Sequence, residues 1–301
     1  MTLDKTKVLV VISGPTAVGK TATAIAIARH FGSEIISADS RQIYREMRIG
    51  TAVPSPEELA TVKHHFIQTK SIFDYYNAYL YETEVLELLP ELFRRMNPVV
   101  MAGGSGLYID AVCHGIDDIP TVDPAVRQQM LELYEREGLE GLQRRLQEVD
   151  PDYYAQVDLH NPKRLLKALE ISVQSGRPYS SFLTRTPKER PFRILKIGLN
   201  LPREELYDRI NRRVVKMIDE GLVEEARSLL PHRRVNALNT VGYKEIFDHL
   251  EGKLSLDEAI ERIQANTRKY ARKQLTWFRK DPKTKWFRPD ETKKIIEWIE
   301  K

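Results

Sequence analysis

The chain has a single cysteine, Cys113, in 301 residues. A lone cysteine forms no internal disulfide, so no oxidised framework holds the fold together. It follows Ala111 and Val112, which makes it a small apolar packing residue with no catalytic role. Long apolar runs are also missing. Val8–Ile12 is far too short to span a bilayer and is cut off by Gly14-Pro15, and the first seven residues hold no leader-like apolar stretch. The chain therefore reads as soluble, cytoplasmic and without a membrane partner. There is little excess of either charge: 47 Lys and Arg stand against 43 Asp and Glu, a formal net charge of +4. So small a sum neither demands nor excludes a nucleic-acid partner, and the distribution has to decide. No internal repeat or low-complexity tract appears, and nothing demands a dimer, so a monomer is expected.

What is present is ordinary globular material, 42% hydrophobic and 30% charged, enough for one large or two moderate domains. Val8-Leu-Val-Val-Ile12 is a continuous aliphatic run of the kind that forms a strand covered on both faces of a parallel sheet. Glu34–Ala38, Pro98–Ala102 and Arg193–Leu199 read as further strands, and Ala22–His30, after the glycine-rich loop, as a helix packed on that sheet. Strands alternating with helices predict an α/β doubly wound layer. From Asp123 to about Phe182 no strand is expected; Val126–Glu137, Leu139–Glu148 and Pro162–Ser175 read as helices separated by Gly138, Asp150-Pro151 and Gly176. This predicts a helical insertion over 121–185 inside a core of 1–120 and 186–301. The C-terminal region is helical again, with Glu204–Glu220 stopped by Gly221 and Leu256–Lys280 stopped before Pro282.

Gly14-Pro15-Thr16-Ala17-Val18-Gly19-Lys20-Thr21 matches G-x-x-x-x-G-K-T, with a strand before it and a helix after it. Glycines let successive backbone N–H groups curl around phosphate oxygens. Lys20 supplies a point charge, Thr21 a hydroxyl for Mg²⁺, and the helix start its positive end. This is the loop of P-loop NTPase-like, ATP- and nucleotide-binding folds, although the motif itself specifies phosphates and not ATP. The strand at Pro98–Ala102 ends in Gly103-Gly104 with no acid, and no guanine-reading motif occurs.

An acid does end the second strand: Asp39, in Asp39-Ser40-Arg41-Gln42. Ligands of a doubly wound sheet sit at the carboxyl ends of its strands, so Asp39 belongs near the bound phosphates, where a carboxylate can accept a proton from an attacking nucleophile. Gln42 offers a donor and an acceptor suited to an adenine edge. The plainer alternative is that Asp39 or Ser40 caps the following turn. Gly103-Gly-Ser105 stands in the same position on the third strand, where glycines allow close approach and Ser105 can bond a substrate atom; a tight structural turn is the alternative.

Arg268, Lys269, Arg272, Lys273, Arg279 and Lys280 crowd one stretch, with Tyr270, Trp277 and Phe278 interleaved. Between Arg262 and Arg288 the only acid is Asp281. Such a stretch fits either phosphodiester contacts or a solvated helix face. Arg209 and Arg213 sit four apart on one helical face, a spacing that can clamp a diphosphate or simply face solvent.

Together these segments resemble the tRNA dimethylallyltransferase (tRNA isopentenyltransferase) family. The matching blocks are Gly14–Thr21, Ser37–Tyr44, Ile49–Ala52, His64-His65, Gly103–Tyr108, Arg164 with Ala168–Glu170, Val241–Lys244, Thr267–Ala271 and Thr276–Arg279. Departures are small: Ser105 where Thr is common, Lys167 where Arg is common, and Phe66 where Leu is common. The resemblance implies transfer of a dimethylallyl group from dimethylallyl diphosphate to N6 of the adenosine 3′ to the anticodon, with Mg²⁺. It implies Asp39 as base, Gln42 and Ser105 at the acceptor, and Gly14–Thr21 with Arg209 and Arg213 at the diphosphate. It also implies contact with the tRNA anticodon stem-loop through Asp39, Ser40, Arg41, Gln42, Ser105, Arg127, Arg164, Lys167, Gly242, Tyr243, Lys244 and Arg272. A P-loop kinase of a small nucleoside-like substrate is the competing reading; it leaves the basic helix unexplained. An ATPase that binds nucleic acid suffers from the missing acid on the third strand.

Overall fold

The computed structural model describes residues 6–184 and 186–301. The aliphatic run becomes strand β1 (Val8–Ser13), with Leu9 to Ile12 buried. The chain passes through the glycine loop into α1 (Lys20–Phe31), bounded by Gly19 and Gly32, both in left-handed backbone with φ of 108° and 60°. Next come β2 (Ile35–Ser37), a short α2 (Pro56–Thr61) started by a Ser55–Glu58 capping box, and β3 (His64–His65). Then α3 (Ala78–Arg95), capped by Asn77, leads to β4 (Val99–Gly103) and α4 (Gly106–His114).

The lobe follows: α5 (Pro124–Val149), α6 (Pro151–Tyr154) and α7 (Pro162–Ser175). Gly138 breaks α5 with φ 65° and ψ −161°, at the residue where the sequence separates two helices. The chain resumes with β5 (Arg193–Leu199), α8 (Arg203–Asp219), α9 (Leu222–Leu229), α10 (Tyr243–Leu250), α11 (Leu256–Phe278), β6 (Lys285–Phe287) and α12 (Thr292–Ile299).

All strand pairs are parallel, in the order β3-β2-β4-β1-β5-β6. Two very short edge strands, β3 and β6, were not legible in the sequence. His64-His65 and Lys-Trp-Phe287 offer no apolar run, and only neighbouring strands recruit them. β2 is also shorter than the expected Glu34–Ala38.

The described residues form two compact units, Met1–His114 with Glu189–Lys301, and Gly115–Lys188, against the expected insertion of 121–185. In the first unit one core joins the sheet to α1 and α12 through residues such as Val10, Ile27, Val100, Ile197 and Ile295. A second core, including Ile43, Met47, Val214, Leu222, Tyr243 and Phe247, is built by α8 to α11 with the 43–52 loop. The lobe has its own core of Met130, Leu142, Leu146, Leu165, Ala168 and Leu169. Cys113 is buried and its thiol is pushed up to about 12 by desolvation, as a packing residue requires. Among the described residues no helix is long and apolar enough to cross a membrane.

Candidate active site

The order β2-β4-β1 brings three strand ends side by side, and each carries one of the segments singled out in the sequence. The glycine loop leaves β1, Gly103-Gly104 ends β4 and Asp39 follows β2. Contact at this edge is close enough to dictate glycine. A Cβ on Gly103 would stand 2.1 Å from the Ala38 carbonyl oxygen, and one on Gly14 would stand 2.6 Å from that of Leu199.

On the β1 side, the N–H groups of Gly19, Lys20 and Thr21 have no acceptor among the described residues and open at the start of α1. That is the anion-binding end of a helix. The Lys20 ammonium folds back over the loop, donating to the carbonyls of Pro15 at 2.8 Å and Gly14 at 3.1 Å. Burial lowers its pKa to about 8; Asp39 opposes the fall and Arg213 adds to it. Arg209 reaches the loop through the Val18 carbonyl at 3.4 Å and is steadied by Glu205 at 3.0 Å. Arg213, one turn on along α8, is pushed down by burial while Asp39 holds it up. Arg209 and Lys20 thus meet at the loop, with Arg213 close enough to Lys20 and Asp39 to act on their charges.

On the β2 side, Asp39 Oδ1 accepts the N–H groups of Arg41 at 2.9 Å and Gln42 at 3.2 Å. The capping role weighed for Asp39 is thus present, and it occupies one carboxylate oxygen: Oδ1 fixes the turn and Oδ2 takes no part in it. Ser105 accepts the Ser40 N–H at 2.9 Å and donates to the Ser40 hydroxyl at 3.1 Å, tying the β4 loop to the Asp39 turn. Gln42 commits its amide nitrogen to the carbonyls of Thr51 and Ala52, at 3.1 and 2.8 Å. Its Oε1 takes no part in these two bonds. Tyr270 stands on α11, and its phenol is pushed up to about 12 by desolvation and then by the Asp39 carboxylate.

Gly242 and Tyr243 are not surface residues. Tyr243 is wholly buried, its ring lies against Gly50, and its hydroxyl donates to Glu225 at 2.6 Å. Of Gly242, Tyr243 and Lys244, only Lys244 is exposed. Of the expected tRNA-facing residues Gly242, Tyr243 and Lys244, the structure places the Tyr243 side chain in the core and Lys244 at the surface; an aromatic in a motif looks the same in sequence whether it packs or recognises. The structure instead reveals Glu225, which the sequence did not single out. Its carboxylate also accepts the N–H groups of Arg48, Ile49 and Gly50, at 3.1, 2.8 and 2.9 Å. Glu225 and Tyr243 thus hold the loop from which Gln42 hangs.

Gln274 was missed as well. It is buried on α11, accepts the Thr16 N–H at 2.8 Å and donates to the Gly104 carbonyl at 2.8 Å. A signal existed: Ile263, Ala271, Gln274 and Phe278 form the buried stripe of this helix, and Gln274 is its polar member. The opposite face presents Lys269, Arg272, Lys273, Thr276, Trp277 and Lys280 around one shallow recess. Trp277 is anchored by donating to Asp110 at 2.8 Å, and Arg272 donates to the Tyr207 hydroxyl at 2.9 Å.

In the lobe, Arg127 and Arg164 are exposed and Lys167 is half-buried. Lys167 is pushed down by burial, with Glu170 opposing. The buried Glu170 is itself pushed up by desolvation against the pull of Arg127 and Lys167, so these two expected contacts share one carboxylate.

No cluster of three or more His, Cys, Asp or Glu among the described residues could hold a metal unaided. The Thr21 hydroxyl has no hydrogen-bond partner among the described residues, and the Asp39 carboxylate shares the same sheet edge. Sparse protein ligation of this kind fits a magnesium ion carried in largely by phosphate oxygens and water.

The sequence matches the family described as IPP transferase over residues 42–281. It is 54% identical over 294 residues to tRNA dimethylallyltransferase 1 of Bacteroides fragilis, covering 98% of each chain. Among solved structures it resembles a tRNA isopentenylpyrophosphate transferase from Bacillus halodurans, with TM-score 0.71 and 36% identity over 98% of this chain and 96% of that one. It also resembles a eukaryotic dimethylallyltransferase acting on tRNA, with TM-score 0.73 and 26% identity over 90% of this chain and 69% of that one.

Proposed function

The chain belongs to the IPP transferase family, and from that premise we propose that it moves a dimethylallyl group from dimethylallyl diphosphate to N6 of the adenosine 3′ to the anticodon in tRNA. One observation carries the reading: a phosphate loop and a half-engaged carboxylate open at the same sheet edge, separated by a glycine-lined strand end.

The amides of Gly19 to Thr21, Lys20, Arg209 and Arg213 hold the diphosphate. Thr21 would bind Mg²⁺ together with diphosphate oxygens, and the ion would supply further positive charge to the leaving group. The adenosine N6 attacks C1 of the dimethylallyl group as the C1–O bond to diphosphate breaks. Asp39 Oδ2 takes the amine proton, and diphosphate departs. Gln42 Oε1 accepts from the adenine edge, while Ser105 and Ser40 keep the Asp39 turn in place. An adenine within an anticodon loop reaches such a site only by leaving its stack. Arg41, Lys244 and Arg272 on the core, and Arg127, Arg164 and Lys167 on the lobe, meet the anticodon stem-loop. All of these groups lie on one chain, which supports a monomer, and a tRNA substrate is in keeping with a cytoplasmic reaction.

The test is incorporation of labelled prenyl group from dimethylallyl diphosphate into unmodified tRNA. Failure to incorporate, with phosphoryl transfer from ATP to a small acceptor instead, would replace this reading with the kinase.

A further inference from the structure

Gln274 is a buried polar side chain in the middle of an otherwise apolar helix stripe, with Ala271 and Phe278 on either side. A buried amide costs stability unless both ends are bonded, and both are. Its partners are not structural bystanders. Oε1 accepts the N–H of Thr16 inside the phosphate loop, and Nε2 donates to the carbonyl of Gly104 at the end of β4. The packing leaves no slack. A Cβ on Gly104 would meet Gln274 Nε2 at 2.5 Å and Lys20 Nζ at 3.6 Å, so the two nitrogens flank the same glycine.

Two consequences follow. The Thr16 N–H is spent on Gln274 and cannot bind an anion, which confines the loop's anion contacts to amides further along, at Gly19 to Thr21. Beyond the last sheet pairing, Ser13 with Gly103, one side chain of fixed length also bridges the β1 and β4 loops. We propose that Gln274 is a positioning residue for the donor: it holds the phosphate loop at the width and orientation in which Lys20 and the α1 amides converge on a diphosphate. The inference rests on the reading of that loop as a diphosphate site. It assigns α11 a second duty, distinct from the cationic face of Lys269, Arg272, Lys273 and Lys280 that looks the other way.

The experiment measures binding of inorganic pyrophosphate and, separately, of an unmodified anticodon stem-loop RNA by calorimetry. It uses the full chain and its Gln274→Met and Gln274→Glu variants. Gln274→Met keeps the length and loses both hydrogen bonds; pyrophosphate affinity is expected to fall about tenfold or more, with RNA affinity unchanged within twofold. Gln274→Glu keeps the acceptor for Thr16 but, when ionised, sets a carboxylate against the Gly104 carbonyl and beside the anion. Its pyrophosphate affinity relative to wild type should be poor at pH 8 and recover as the pH falls and the protonated carboxyl again donates. A residue that merely filled space would show no such pH-dependent recovery. Wild-type pyrophosphate affinity in Gln274→Met, or a flat pH ratio in Gln274→Glu, overturns the proposal. If wild type itself fails to bind pyrophosphate, the diphosphate reading of the loop falls and takes this inference with it.

Discussion

Lys20 should make donor binding pH-dependent just above neutrality. Its ammonium is buried under the loop it serves, and this burial, aided by Arg213, lowers its pKa to about 8 despite the opposing Asp39. The charged form is the one that binds a diphosphate, and the bound anion raises the pKa again. The sign follows directly. Well below pH 8 the lysine is already protonated and affinity does not gain from further acid. Above pH 8 each binding event must first take up a proton, and affinity falls. With a free-state pKa of about 8, roughly nine-tenths of the chains carry the charge at pH 7 and roughly one-tenth at pH 9. That is about a tenfold loss of pyrophosphate affinity, or about 1.4 kcal/mol. The assay is a calorimetric titration at pH 7, 8 and 9 on wild type and Lys20→Arg. Arginine does not titrate in this range, so the ratio of the two affinities removes the ionisation of pyrophosphate itself. A ratio that stays flat from pH 7 to 9 refutes the argument: either Lys20 does not sit near 8 or it does not touch the anion.

The remaining predictions concern the acceptor side and the RNA. Asp39→Asn keeps the Oδ1 acceptor for the Arg41 and Gln42 amides but removes the base, so kcat should fall by about 10²–10⁴ while tRNA affinity holds within a few fold; near-normal turnover would remove Asp39 from the mechanism. Glu225→Ala strips the acceptor from three backbone amides and the Tyr243 hydroxyl, and should cost about 2 kcal/mol in denaturant melts and raise KM for tRNA more than for the prenyl donor. Replacing Lys269, Arg272 and Lys273 together by Gln should reduce the slope of log Kd for tRNA against log salt by about 2 to 3; an unchanged slope would mean this face meets solvent alone.

The sequence determined the parts of this protein that local chemistry encodes. A short continuous run of β-branched and aliphatic residues ended by glycine suits a strand covered on both sides, and Val8–Ser13 is one. The loop Gly14–Thr21 was legible because its turn needs positive φ at Gly14 and Gly19, and Gly138 and Gly176 interrupt helices for the same reason. The place of Asp39 beside the glycine loop was legible because the ends of neighbouring parallel strands lie together. Tertiary structure decided the rest. The edge strands His64–His65 and Lys285–Phe287 exist only because a neighbour offers them hydrogen bonds. Tyr243, Glu225 and Gln274 take their roles from partners far away in the chain, at Gly50, Arg48–Gly50, Thr16 and Gly104. A side chain's type says what it can bond. Which partner it meets, and whether water competes, is set only when the chain has closed around it.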